Sequence, residues 1–226
     1  MNRKNVVRQP LFRLKIAASF FVITGVVIAL YLVFRPQLLE YQCRMNSNAT
    51  LPDTSLGRTS LILGDSHLAN ATIPEHVDRY TYSGATTAML SEISNAYPTC
   101  VWDTMSVFLG TNDVFFHVDF EVSKERWQAF AKWATARKKP VHVRMINLPA
   151  YEPQAGYFTD PEEIAEAINE WNVFLASYCQ QRGFEYADLN REMELIEGPF
   201  LTDGIHFTQS GQRVLGKLLF ESREMP

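Results

Sequence analysis

Thr59-Ser60-Leu61-Ile62-Leu63-Gly64-Asp65-Ser66 is the stretch on which the fold of this chain turns. Its apolar run is too short for a helix and stops at a glycine, which marks a buried strand closing on a tight turn. The same grammar returns along the chain. A weaker run from Val77 to Tyr82 is followed by Ser83-Gly84, and Met105-Ser106-Val107-Phe108-Leu109 is followed by Gly110. Val141 to Ile146 and Phe184 to Ala187 supply a fourth and a fifth strand. After the second strand come helical patterns at Thr86–Ala96, Ser123–Ala136, Pro161–Arg182 and Ser210–Ser222. In the third helix, Ile164, Ile168, Trp171, Leu175 and Tyr178 form a core stripe. Pro161, Glu162 and Glu163 suit its first turn, with Asp160 as N-cap.

Strands alternating with helices imply an α/β fold with a parallel five-stranded sheet and helices on both faces. Right-handed crossovers then place a ligand at the carboxyl ends of the strands. Residues with chemistry to do are therefore expected just after strands.

Outside this unit, residues 16–34 run for nineteen positions without a charge. At about 1.5 Å per residue such a helix spans roughly 28 Å, close to a bilayer's ~30 Å hydrocarbon core. The run exits through Tyr31-Leu32-Val33-Phe34-Arg35-Pro36 with no small-x-small site, so it reads as a retained signal anchor. Arg3, Lys4, Arg8, Arg13 and Lys15 precede it, and the first acidic residue is Glu40. Positive flanks stay cytoplasmic, which puts the remainder outside the cytoplasm, in the periplasm for a bacterial source. The expected organisation is a cytoplasmic basic segment at 1–15, an anchor at 16–34, a tether at 35–58 that turns polar from Asn46, and one domain at 59–226.

Composition agrees with a globular domain, at 46% hydrophobic and 20% charged residues. The first 35 residues hold six of the 21 basic residues and none of the 25 acidic ones, leaving 15 against 25, a net charge of −10. Such a surface repels phosphate backbones and argues against a nucleic-acid partner. Cys43, Cys100 and Cys179 allow at most one disulfide and show no metal-type spacing. Asn48 and Asn70 open glycosylation sequons, which matter only in a eukaryotic secretory pathway.

Four short segments carry chemistry. Gly64-Asp65-Ser66 puts a serine where backbone N–H groups can meet developing negative charge, although Ser66 also suits a plain helix cap. Ser83-Gly84 follows the second strand, where a glycine lets a backbone N–H come close to a substrate oxygen or simply makes a turn. Gly110-Thr111-Asn112-Asp113 offers a side-chain amide as an oxyanion donor, or a loop that stabilises itself. Asp203-Gly204-Ile205-His206 has the spacing for a carboxylate to reach His206 Nδ1 and free Nε2 for a nucleophile, against a surface Asp and a helix-cap His. His76 and His117 lack such an acid, His142 lies in a strand, and His67 is expected to point away from Ser66.

In the order Ser, Gly, Asn, Asp-x-x-His, these segments resemble the four blocks of the SGNH (GDSL-like) hydrolase family. The resemblance covers about residues 59–222, with Gly64-Asp65-Ser66-His67, Gly84, Gly110-Thr111-Asn112-Asp113 and Asp203-Gly204-Ile205-His206 as its blocks. His67 departs from the family, many members of which carry Leu there. The resemblance implies a three-layer α/β/α, flavodoxin-like fold and a serine ester hydrolase. Ser66 would be nucleophile, His206 base and Asp203 its orienting acid. The Ser66 and Gly84 backbone N–H groups and the Asn112 side chain would form the oxyanion hole. No metal or cofactor is required, and Asp65 is assigned a structural part.

The expected partners are an acyl-ester substrate, glycan or lipid, and the membrane. Asn147 to Phe158, rich in Pro and Tyr, reads as a cleft wall suited to sugar rings as well as acyl chains. An O-acetyl ester of an envelope or exported glycan is the favoured substrate. Acyl transfer to a sugar hydroxyl, lysophospholipase or thioesterase activity, and a binding protein without turnover are the alternatives.

Overall fold

The structure, a computed structural model, describes residues 24–31, 33–35, 37–39, 41–42, and 50–220 apart from 70, 72, 138, 140 and 151–160. The chain divides into two units, Met1–Leu39 and Glu40–Pro226.

In the larger unit the strands are β1 (Ser60–Gly64), β2 (Val77–Thr81), β3 (Thr104–Phe108), β4 (His142–Ile146) and β5 (Glu185–Ala187). All pair in parallel, in the order β2-β1-β3-β4-β5. The helices are α1 (Ser66–Ala69), α2 (Ala88–Ala96), α3 (Thr111–Phe115), α4 (Phe120–Thr135), α5 (Pro161–Arg182), α6 (Leu189–Glu194) and α7 (Gln209–Phe220). Five strands and four long helices stand where the sequence places them, within three residues at each end, except that the expected end of the last helix, Ser222, lies outside the described residues. Two short helices, α3 and α6, and a 3-10 turn at Thr54–Leu56 in the expected tether were not anticipated.

Alternation along each strand sends side chains to two cores and makes three layers. Leu61, Leu63, Tyr80, Met105, Val107, Val143 and Met145 pack with α2, α4 and α5 on one face. Ile62, Val77, Phe108, Ile146 and Ala187 pack with α6 and α7 on the other. The α5 stripe is buried at every position. Two polar residues inside the sheet are accounted for by α7, whose last carbonyls have no partner within the helix. Ser106 Oγ donates to the Leu219 carbonyl at 3.2 Å and Arg144 to that of Leu218 at 2.6 Å. Arg144 also lies 2.8 Å from Glu185, and its positive charge suits a helix C-terminus.

The chain leaves β1 for β2 at one edge and returns across β1 to β3, so the strand order reverses between β1 and β3. The carboxyl ends of these two strands are where an open α/β sheet takes its ligand. Ser66 follows one and Gly110 the other.

In the smaller unit, the described residues between 24 and 39 are helical, beyond the expected end of the anchor at Phe34. Among the described residues no helix is long and apolar enough to cross a membrane. The first eight residues of the expected anchor, 16–23, lie outside the described residues, as do Asp160, Cys43 and both sequon asparagines. Cys100 and Cys179 are buried free thiols.

Candidate active site

Ser66 opens α1 directly after β1, on a turn organised by its neighbours. The buried Asp65 carboxylate accepts from the His67 backbone N–H at 3.0 Å and faces His67 Nδ1 at 2.8 Å. His67 is only 2% exposed. The ring turns into the molecule, because Asp65 holds one nitrogen and the Ile205 carbonyl lies 3.0 Å from the other, Nε2. Phe108 and Phe207 enclose it at ring distances of 5.5 and 4.8 Å. Burial works against a charge on this ring, but Asp65 outweighs it by attraction and hydrogen bonding and raises the imidazole's pKa.

The loop carrying His206 is wound around a second carboxylate. Asp203 Oδ1 accepts from the backbone N–H groups of Ile205 at 3.0 Å and His206 at 2.7 Å, while Oδ2 faces His206 Nδ1 at 2.8 Å. The His206 hydrogen bonds hold Asp203 well below the usual carboxylate range. An ionised Asp203 keeps the proton on Nδ1 and leaves Nε2 with a lone pair. Leu201 bridges Phe207 across the loop, and Thr202 N–H donates to the His206 carbonyl at 2.7 Å. The His206 side chain is 54% exposed, open to a substrate, and its ring lies 5.8 Å from that of His67. The serine turn and the histidine loop, distant in sequence, are therefore adjacent.

A third contact joins the other two turns to each other. Asn112, in the first turn of α3, donates from Nδ2 to the Ala85 carbonyl at 2.9 Å, beside Gly84. Gly84 has φ of +76°, the left-handed region that a side chain disfavours, so the turn after β2 needs glycine. Asp113 ties the two turns more firmly, accepting from Thr87 N–H at 2.9 Å, Thr87 Oγ1 at 2.6 Å and Ser123 Oγ at 2.8 Å. Its carboxyl is pushed up to about 6 by burial, against those hydrogen bonds and the nearby Arg126. The sequence motif alone assigns Asp113 no contact. Its aspartate beside Asn112 was the available signal, but partners 10 and 26 positions away were not.

A family model described as GDSL-like lipase/acylhydrolase matches residues 58–214, a span that begins before β1 and ends within α7. The chain belongs to the GDSL-like lipase/acylhydrolase family. It is accordingly a serine ester hydrolase. Solved structures agree on the fold. A member of the lipolytic G-D-S-L family from Veillonella parvula superposes with a TM-score of 0.56 at 17% identity, covering 74% of this chain and 98% of that one. A GDSL-like lipase from Bacteroides thetaiotaomicron gives 0.54 at 14%, covering 81% and 94%. No curated protein matches the chain.

This GDSL-like protein also has a cavity away from Ser66. A cavity of about 570 Å³ opens at the strand N-termini, lined in part by Ser60, Thr104, His142 and Arg144, the opposite end of the sheet from Ser66 and Gly110. His142 and Arg144 there are already paired with Glu185. The polar groups at the carboxyl ends of the strands, not this hollow, mark the reactive end. Residues 151–158 of the expected cleft wall lie outside the described residues.

Proposed function

We propose that Ser66 is the nucleophile of this hydrolase, His206 its general base and Asp203 the acid that orients it. The observation carrying this reading is the Asp203–His206 contact at 2.8 Å, on a loop held against the serine turn through His67. Ser66 Oγ adds to the ester carbonyl as its proton passes to His206 Nε2. The tetrahedral oxyanion lies against the Ser66 and Gly84 backbone N–H groups and Asn112 Nδ2. Asn112 gives one amide hydrogen to Ala85, and its second is left for substrate. Collapse expels the alcohol, which takes the proton from His206, and water then releases the acyl group by the reverse sequence. Asn112→Ala is expected to lower kcat by about 10²–10³ with KM little changed, since the donor is used in the transition state. Steady-state kinetics on a chromogenic acetate ester checks this.

For the substrate we favour a small O-acyl group, acetyl first, on an envelope or exported glycan. Attachment to a membrane through residues 16–34, with the hydrolase domain outside the cytoplasm, belongs to the same reading. It is supported by the basic flank and by Val26, Val27, Ile28, Leu30, Tyr31, Val33 and Phe34, each more than half exposed. The open side of His206 could admit a sugar hydroxyl in place of water, which makes acyl transfer the second reading. The test is product analysis with full-length protein in detergent. Acetate released from an acetylated glycan, with none from a lysophospholipid, supports the proposal; the reverse pattern overturns the substrate class. Acetyl appearing on an added acceptor glycan instead of in water assigns transfer.

A further inference from the structure

We propose that His67 is a positioning residue of this active site, donating from both ring nitrogens to clamp the loop of His206 onto the turn of Ser66. The inference rests on the assignment of Ser66 and His206 above. Nδ1 faces Asp65 Oδ1 at 2.8 Å and Nε2 faces the Ile205 carbonyl at 3.0 Å. A carbonyl oxygen can only accept, and so can an ionised carboxylate, so both contacts are satisfied together only when each nitrogen bears a proton. Ring and carboxyl both sit at 2% exposure or less, where a lost hydrogen-bond partner is costly. The clamp runs from Asp65, the residue before Ser66, to Ile205, the residue before His206.

The reach of the clamp is specific. Asp65 also accepts from the His67 backbone N–H, fixing the turn on which Ser66 sits. Gln212 Nε2 of α7 donates to the His67 carbonyl at 2.9 Å, tying the same turn to the helix that follows the histidine loop. Among the groups that face the His67 ring are Asp65, the Ile205 carbonyl, His206, Phe108 and Phe207, with Asp203 acting at longer range. A leucine could fill the space between the two phenylalanines but would leave the Ile205 carbonyl without its donor. The clamp therefore acts on alignment, which enters kcat, and not on substrate contacts, which enter KM.

The experiment compares full-length His67→Leu, His67→Gln and parent protein. Active enzyme is counted by fluorophosphonate labelling, folding is followed by thermal melting, and kcat and KM are measured on p-nitrophenyl acetate. For His67→Leu, kcat per labelled site is expected to fall about tenfold or more with KM within about twofold. His67→Gln, which keeps one donor within reach of Ile205, is expected to recover part of the loss. Nitrogen NMR of the parent is expected to show both His67 ring nitrogens protonated at neutral pH. A His67→Leu kcat per labelled site within twofold of parent would overturn the proposal, as would a loss tracking only the folded fraction. An unprotonated His67 nitrogen at neutral pH would overturn it independently of turnover. Failure of the underlying reading is separately visible, because the parent would then show no Ser66-dependent labelling.

Discussion

Alanine at position 66 is expected to reduce ester turnover by roughly 10⁴-fold or more, to the residue of catalysis that an oxyanion hole and substrate binding sustain without a nucleophile. The loss is large because the covalent route disappears, whereas the rest of the site is untouched. Asp65 still organises the turn through the His67 N–H, and Asp203 still holds His206. The melting temperature is therefore expected to stay within a degree or two of the parent. Fluorophosphonate labelling is expected to vanish in Ser66→Ala and to slow in His206→Ala, which keeps the hydroxyl but removes its base. Asp203 sets no limit on turnover near neutral pH, since the hydrogen bonds from His206 hold its carboxyl well below the usual carboxylate range. Ordinary labelling of a folded Ser66→Ala protein would remove the nucleophile assignment outright.

How much of this was legible in the sequence follows from the range of the interactions. β1 and β3 could be read because short apolar runs end at Gly64 and Gly110, where the backbone must turn. α5 matches at both bounds because Pro161 opens it and Gly183, at φ of +68°, closes it. α3 and α6 escaped notice because five or six residues complete too few turns to show a stripe. Asp203 and His206 lie three positions apart, so their contact is local and could be anticipated. The contact of His67 with the Ile205 carbonyl could not be read, because its partner is 138 positions away and no local pattern names it. The stripe on α5 announced Trp171 as core, but nothing in it announced the backbone against which Trp171 packs.

That backbone is Gly110, and replacing it with alanine is expected to be the most destabilising conservative change near the site. Its φ of +128° and ψ of −23° lie where a residue with a side chain is strained, at a cost of about 1–3 kcal/mol. A Cβ built there would sit 2.2 Å from Trp171 Nε1 and 2.4 and 2.7 Å from two ring carbons. The indole is 2% exposed and hemmed in by Phe120 and Phe174, so it has little room to withdraw, and overpacking adds about 1–3 kcal/mol. Together these predict a loss of roughly 3–5 kcal/mol, or about 10–15 °C in melting temperature for a domain of this size. Activity is expected to fall as well, because Asn112 stands two residues further on and its aim at the oxyanion depends on where α3 begins. A double-mutant cycle with Trp171→Leu separates the two causes, since trimming the indole relieves the clash and leaves the backbone strain. Recovery of about half the lost stability is the expected result. A Gly110→Ala protein melting within about 3 °C of the parent would mean that the turn after β3 is not held against α5 as described.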